Sequence, residues 1–218
     1  MPRRMAAVLV GFLMIVVGFG QNQSSVRADQ CSGVRESFAE LKSAFCVGDG
    51  ETAAAQVTPA ALALYESCRS LALDSSDTDF EQLTQVEVLL IFQLRWLLSR
   101  AVLESMDGTS VFVWGIEEGL FDRDTLSPFE LDRVQCEGAI AIATLLDQGE
   151  PVTDAVFYFE LHDGVWKLDF RRLLDASESA FAAIRQQTGT TRMELAIYFM
   201  EREYGQRIPP QILNGPLR

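Results

Sequence analysis

Tyr158-Phe159-Glu160-Leu161-His162-Asp163-Gly164-Val165-Trp166-Lys167-Leu168-Asp169-Phe170 reads as two alternating strands joined at Asp163-Gly164. An Asp-Gly pair between such strands favours a two-residue type I′ turn, because both central positions need φ > 0. Centring the turn there sets the register and sorts the side chains. Phe157, Phe159, Leu161, Trp166, Leu168 and Phe170 fall on one face; Val156, Tyr158, Glu160, Lys167, Asp169 and Arg171 fall on the other. A slip of one residue would expose the aromatic face, so the pairing is well specified. The pattern predicts a half-buried antiparallel sheet covered by helices.

Helical signals lie upstream. Val34, Phe38, Leu41 and Phe45 recur at helical spacing, and Gly48-Asp49-Gly50 ends that helix. A short helical piece is expected over Glu51 to Gln56. Thr58-Pro59 then supplies an N-cap and a first-turn proline for a helix to about Leu73. Thr78 and Glu81 match a capping box for a third helix from Phe80 to about Met106. This helix is apolar over most of its circumference between Val86 and Leu98, as expected of a central helix; Glu87, Gln93 and Arg95 argue against a membrane span.

Val111 to Gly115 is expected as a short strand, and Glu117 to Pro128 as a long acidic connection. Leu131 to Leu146 is expected as one strand, with the main strand at Val152 to His162. Two helices follow, Leu173 to Gln187 and a second opened by Thr191 with Glu194 and stopped by Gly205. Met193, Ile197, Met200 and Tyr204 give the last one an apolar stripe. The tail from Ile208-Pro209-Pro210 is expected to be extended. Helices followed by an antiparallel meander make an α+β fold. The N-terminal helices are expected to pack on this antiparallel sheet, with two additional C-terminal helices.

Two stretches are similar to the nuclear transport factor 2-like superfamily, the cone-shaped folds that include ketosteroid isomerase and SnoaL-like proteins. One is Gly48-Asp49-Gly50-Glu51 leading to Val57-Thr58-Pro59 and Leu64-Tyr65; the other is Asp163-Gly164-Val165-Trp166-Lys167-Leu168-Asp169. The likeness covers roughly Val34 to Leu173. It implies a curved antiparallel sheet folded over helices, a cone-like domain over residues 29–173, from which the helical extension with a Pro-containing tail over 174–218 departs. It also implies a cavity that is catalytic in some relatives and only ligand-binding in others. Fold does not decide between them.

The N-terminus has the layout of a secretory signal. Arg3 and Arg4 precede an apolar run from Met5 to Phe19, and Val26-Arg27-Ala28 places short residues before a cut after Ala28, with Gly20 as a second position. Fifteen or so apolar residues fall short of the roughly 20 that span a bilayer, although an uncleaved inner-membrane anchor is the alternative. Export to the periplasm or beyond is the expectation. The formal charge of −13 becomes more negative when the three arginines of that segment are removed. Such a surface repels phosphate backbones, so nucleic acid is not an expected partner.

Cys31, Cys46, Cys68 and Cys136 remain after cleavage. An even number in an exported chain suggests disulfides, and three connectivities are open. Cys31–Cys68 with Cys46–Cys136 is the preferred pairing, against the reading that some are buried thiols. No CxxC pair occurs, so zinc-ribbon and thioredoxin chemistry do not fit.

The aromatic face nominates a pocket of Phe157, Phe159, Trp166, Leu168 and Phe170, or else a filled core. Arg95, in an apolar helix, is expected either to pair with an acid such as Glu87 or to read an anionic ligand. Tyr158 and Asp169 fall on the polar face, where a cross-strand contact explains them without catalysis. His162 sits at the hairpin mouth with no partner specified. Asp74 to Asp79 resembles a calcium loop, but Asp79 stands where glycine is needed and Gln85 where the bidentate glutamate should be. No dinucleotide fingerprint, P-loop or nucleophile elbow occurs, so no cofactor is expected. Asn22-Gln23-Ser24 is a glycosylation acceptor inside the segment expected to be removed.

The leading expectation is an exported, non-catalytic domain that binds a small apolar ligand or a protein partner, with homodimerisation through the C-terminal helices open to it. A pocket enzyme of isomerase or hydratase type and a periplasmic scaffold protein are the alternatives.

Overall fold

A computed structural model describes residues 31–74, 80–120 and 126–217. The expected signal segment, the glycosylation acceptor and all but Asp74 of the calcium-loop-like stretch lie outside them.

The hairpin has the expected geometry. Asp163 and Gly164 adopt φ of 50° and 82°, and Phe159 pairs with Leu168, Glu160 with Lys167 and Leu161 with Trp166. The strands are β3 (Glu150–His162) and β4 (Val165–Leu168). Phe157, Phe159, Trp166, Leu168 and Phe170 are buried, whereas Leu161 overhangs the helices and is exposed. Phe170 lies past the strand: Asp169 caps a helix there, its carboxylate accepting from the Arg171 and Arg172 N–H groups.

The stretch expected as a single strand at Leu131 to Leu146 is a second hairpin, β1 (Phe129–Glu137) and β2 (Ile140–Asp147). Glu137 pairs with Ile140, and Gly138 at the first loop position has φ of 59°. This is the place a type II′ turn reserves for glycine. The two intervening residues reset the parity. Ala141, Ala143 and Leu145 face the core with Cys136, while Ile140 and Ile142 face outward. The sheet is an antiparallel meander in the order β1-β2-β3-β4. Val57 adds one parallel bridge to Leu168.

Among the described residues six α-helices precede the sheet. The first three are α1 (Ser32–Val47), α2 (Gly50–Ala55) and α3 (Pro59–Leu73). Val34, Phe38, Leu41 and Phe45 of α1 are all buried, as their spacing requires. The helix also covers the free edge of β1. Arg35 donates to the Leu131 and Asp132 carbonyls, and Lys42 donates to the Phe129 carbonyl at 2.9 Å. Occupied carbonyls and fixed cations keep an edge strand from pairing with another chain.

The expected third helix is interrupted. Phe80–Gln82 is one 3₁₀ turn, and the capping box is Thr84 with Glu87, opening α4 (Gln85–Leu97). Ser99 ends it by capping α5 (Arg100–Ser105) through the Val102 N–H. Asp107 in turn caps α6 (Gly108–Glu117), its carboxylate accepting from Ser110. The expected strand at Val111 to Gly115 is therefore helix. A short β-branched and aromatic run does not by itself distinguish the two, and here packing on α2 and α3 decides.

After the sheet come α7 (Phe170–Thr188) and α8 (Arg192–Tyr204). Thr191 and Glu194 form the expected capping box. The buried face of α8 is Leu195, Ala196, Phe199 and Met200, so the helix is rotated from the stripe expected at Met193, Ile197, Met200 and Tyr204. These residues, together with Phe181, Ile208 and Ile212, join the same core as the sheet and the N-terminal helices. The tail docks through Ile208 and Ile212, the latter in a 3₁₀ turn over Pro210–Leu213.

One polar cluster holds α4, α7 and α8 together. Glu178 accepts from the Gln85 N–H at 2.7 Å, Arg185 at 2.8 Å and Arg192 at 2.9 Å. The buried Gln85 side chain accepts from Arg185 and donates to the Arg192 carbonyl, both at 3.0 Å. Burial pushes the Glu178 carboxyl up, but these hydrogen bonds outweigh it and hold the group below its ordinary value of 4.5. A carboxylate with a depressed folded pKa stabilises above its unfolded pKa, and that contribution is lost as pH falls through the folded value. Glu178→Gln is therefore expected to cost about 1–2 kcal/mol at pH 7, discounted for partial exposure. The gap to the parent should narrow in urea titrations at pH 3. A constant gap would show that the ionised carboxylate is not the stabilising form.

Candidate functional site

The nominated aromatic face is packed against helices. Phe157 and Phe159 lie 5.5 and 6.4 Å from the Phe38 ring, centroid to centroid, and Phe157 lies 6.2 Å from Phe129. Phe170 stacks on Phe45 at 5.9 Å and meets Phe112 edge-on at 6.4 Å. Such offset and tilted contacts are those of a close-packed aromatic interior. Beside them Ser37, buried on α1, donates within a cluster containing the Gln56 side chain and the Trp166 carbonyl. Gln56 donates to Glu40 at 2.8 Å.

Arg95 is elsewhere. Its side chain is fully buried and meets carbonyl oxygens in place of the expected acid. It donates to four carbonyl oxygens: Ala72 at 3.1 Å, Leu71 at 3.0 Å, Ile212 at 2.7 Å and Leu213 at 2.8 Å. Leu71 and Ala72 end α3, and Ile212 and Leu213 end the tail's 3₁₀ turn. Both are helix C-termini, where carbonyls lack intrahelical donors and the dipole is negative. The guanidinium also lies 5.6 Å from the Phe80 ring centroid. Burial pulls its pKa down to about 10, so it is cationic at neutral pH. Glu87 is committed to the Thr84 cap.

Asp169 and Tyr158 meet through the backbone, the Asp169 N–H donating to the Tyr158 carbonyl at 2.8 Å. The buried Asp169 carboxylate caps α7 and accepts from Arg172 Nε at 3.1 Å, and the Arg172 guanidinium lies 4.7 Å above the Tyr158 ring. His162 Nε2 is 2.9 Å from Glu160 on the outer sheet face. These contacts are structural and leave no carboxylate–histidine pair converging on a cavity.

The cysteine pairing differs from both expected bridges. Cys31 is bonded to Cys136, with Cα atoms 5.9 Å apart, while Cys46 is an exposed thiol and Cys68 a buried one. Cys31 sits at the start of α1, which lies along β1; Cys68 faces the interior of α3, away from that strand. Burial pushes the Cys68 thiol far up, consistent with a small core hydrophobe.

The structure instead opens a groove of about 630 Å³ between α2 and α6. Its apolar lining includes Met106, Val113 and Trp114, and its acidic lining is Glu51, Asp107 and Glu117. Two glycines bring the helices to this spacing. A Cβ at Gly50 would lie 2.5 Å from the Val113 carbonyl oxygen, and one at Gly108 would lie 2.5 Å from the Glu66 backbone nitrogen. Asp107 is held below the ordinary carboxylate range by hydrogen bonds from the Ser110 backbone and side chain. A second, shallower groove of about 470 Å³ lies at the tail, between Arg100, Pro209, Asn214 and Leu217. The α2–α6 groove was invisible to periodicity, since its second wall read as a strand. The Asp107 N-cap was the local signal for it.

Among the described residues no group of three or more His, Cys, Asp or Glu is placed to hold a metal ion, and no helix is long and apolar enough to cross a membrane. Comparison with family models, with curated proteins and with solved structures finds no match.

Proposed function

We propose that the chain is an exported, non-catalytic binding domain of the cone-like α+β kind, which takes up a small molecule with an apolar body, or a protein segment of that character, on its surface. The observation that carries this reading is the distribution of apolar surface. The inner sheet face is packed against α1, whereas Met106, Val113 and Trp114 line a groove of about 630 Å³ open to solvent. That volume lies within the range of small-molecule sites. The buried Asp169 and Arg95 and the half-buried Glu178 are engaged in a helix cap, carbonyl contacts and ion pairs respectively, which favours binding over catalysis. Export draws its support from the Cys31–Cys136 bridge, since disulfides persist in oxidising compartments.

Native mass spectrometry of the full chain, expressed with its own N-terminus and recovered from the periplasm, tests this reading. The expected species begins at Asp29 and, once denatured, offers two alkylatable thiols without reductant and four with it. A bound mass that leaves on denaturation, or a complex disrupted by Trp114→Glu, is also expected. A protein recovered only from the cytosol with four free thiols would overturn export. Apolar probes that bind the parent and Trp114→Glu equally would overturn the groove as the binding surface.

A further inference from the structure

We propose that the α2–α6 groove selects an organic cation with an apolar body, an inference that rests on the groove being a binding site. Its lining holds three carboxylates, Glu51, Asp107 and Glu117, and no lysine, arginine or histidine. Two of the three have a local explanation. Glu51 stands in the first turn of α2 and Asp107 caps α6, where negative charge complements the helix dipole. Glu117 has none. It ends α6 with Glu118 as the C-cap and no basic residue in the last turn, so two acids stand at the negative end of a helix. That placement is unfavourable by itself, and a cation bound there relieves it.

The described cation nearest in its effect on the site is Arg69, whose charge acts on Asp107. It is already held by Glu66 at 2.6 Å and the Leu103 carbonyl at 3.0 Å, so among the described residues it offsets the groove's charge only in part. Trp114 supplies the other half of the recognition. An indole is the best aromatic partner for a cation, and the half-buried ring with Val113 and Met106 gives an apolar wall for the ligand's body. The acidic balance of the whole chain adds a long-range field of the same sign, which draws cations toward the site.

The test uses three probes with one body and three charges: phenylbutylamine, phenylbutanol and phenylbutyrate. Each is titrated into the Asp29–Arg218 protein while the Trp114 indole N–H signal is followed by NMR, assigned through Trp114→Phe. The amine is expected to move that signal and to bind about tenfold more tightly than the alcohol, with an advantage that shrinks in high salt. The Glu51→Gln, Asp107→Asn, Glu117→Gln triple variant is expected to lose that advantage. Asparagine retains the α6 cap in this variant, and Glu117→Gln alone provides a second, milder test. Equal binding of amine and alcohol would overturn charge selection and leave the groove as an apolar site. If no probe moves the Trp114 signal, both the groove reading and the inference fall.

Discussion

Arg95→Met is expected to destabilise the fold by about 3–5 kcal/mol, the range for removing one partner from a buried charged contact. The side chain fits the space, so the loss comes from what it leaves behind. Four carbonyl oxygens at two helix ends would remain in the interior without a donor, and an unmade buried hydrogen bond costs its desolvation. Arg95→Lys should recover only part of the loss. An ammonium has three donors on one atom and cannot span carbonyls on two separate segments as the planar fork does. The tail should respond first, because the Ile212 and Leu213 carbonyls lose their donor, while the Arg95 backbone carbonyl that accepts the Leu217 N–H at 3.1 Å is unchanged. Urea unfolding would give the stability change, and limited proteolysis would show whether the chain beyond Gly205 is cleaved before global unfolding. A change below about 1 kcal/mol would mean that water already serves those carbonyls.

Gly108→Ala is expected to destabilise by about 1–3 kcal/mol, the usual cost of overpacking. The sign is informative, because glycine to alanine at a position whose backbone alanine can adopt ordinarily stabilises by about 0.4–1 kcal/mol. Here the new methyl would lie 2.5 Å from the Glu66 nitrogen and 2.7 Å from the Leu62 carbonyl oxygen, both backbone atoms of α3. Backbone cannot turn aside as a side chain can, so α6 must shift away from α3. That shift also moves Trp114 and Glu117, and probe binding in the groove should weaken along with the melting temperature. Thr109→Ala, one position on and exposed, is the control and should leave stability nearly unchanged. A stabilised Gly108→Ala would show that the helices are not in close contact.

Local signals were legible where the interaction partners are neighbours in sequence. Asp163-Gly164 dictated the turn, the turn dictated the register, and alternation placed Phe157, Phe159, Trp166 and Leu168 inside. Thr191 with Glu194, Thr58 with Pro59 and the α1 stripe were readable for the same reason. The errors also had local causes. Gly138-Ala139 lies inside the stretch that reads as a single strand, and its turn divides that stretch into β1 and β2. Ser99 and Asp107 were passed over as caps, which merged α4 with α5 and hid α6.

By itself the sequence determined an α+β chain with a specified aromatic hairpin, helices capped at Thr58 and Thr191, and an acidic charge balance. Each follows from steric or hydrogen-bonding rules that act over a few residues. Only the tertiary structure decided that Cys31 bonds Cys136, that Arg95 meets four carbonyls in place of an acid, and that Gly50 and Gly108 bring helices together beside a groove. Those outcomes depend on which distant backbone atoms come within a few ångströms of one another, and spacing along the chain carries no record of that.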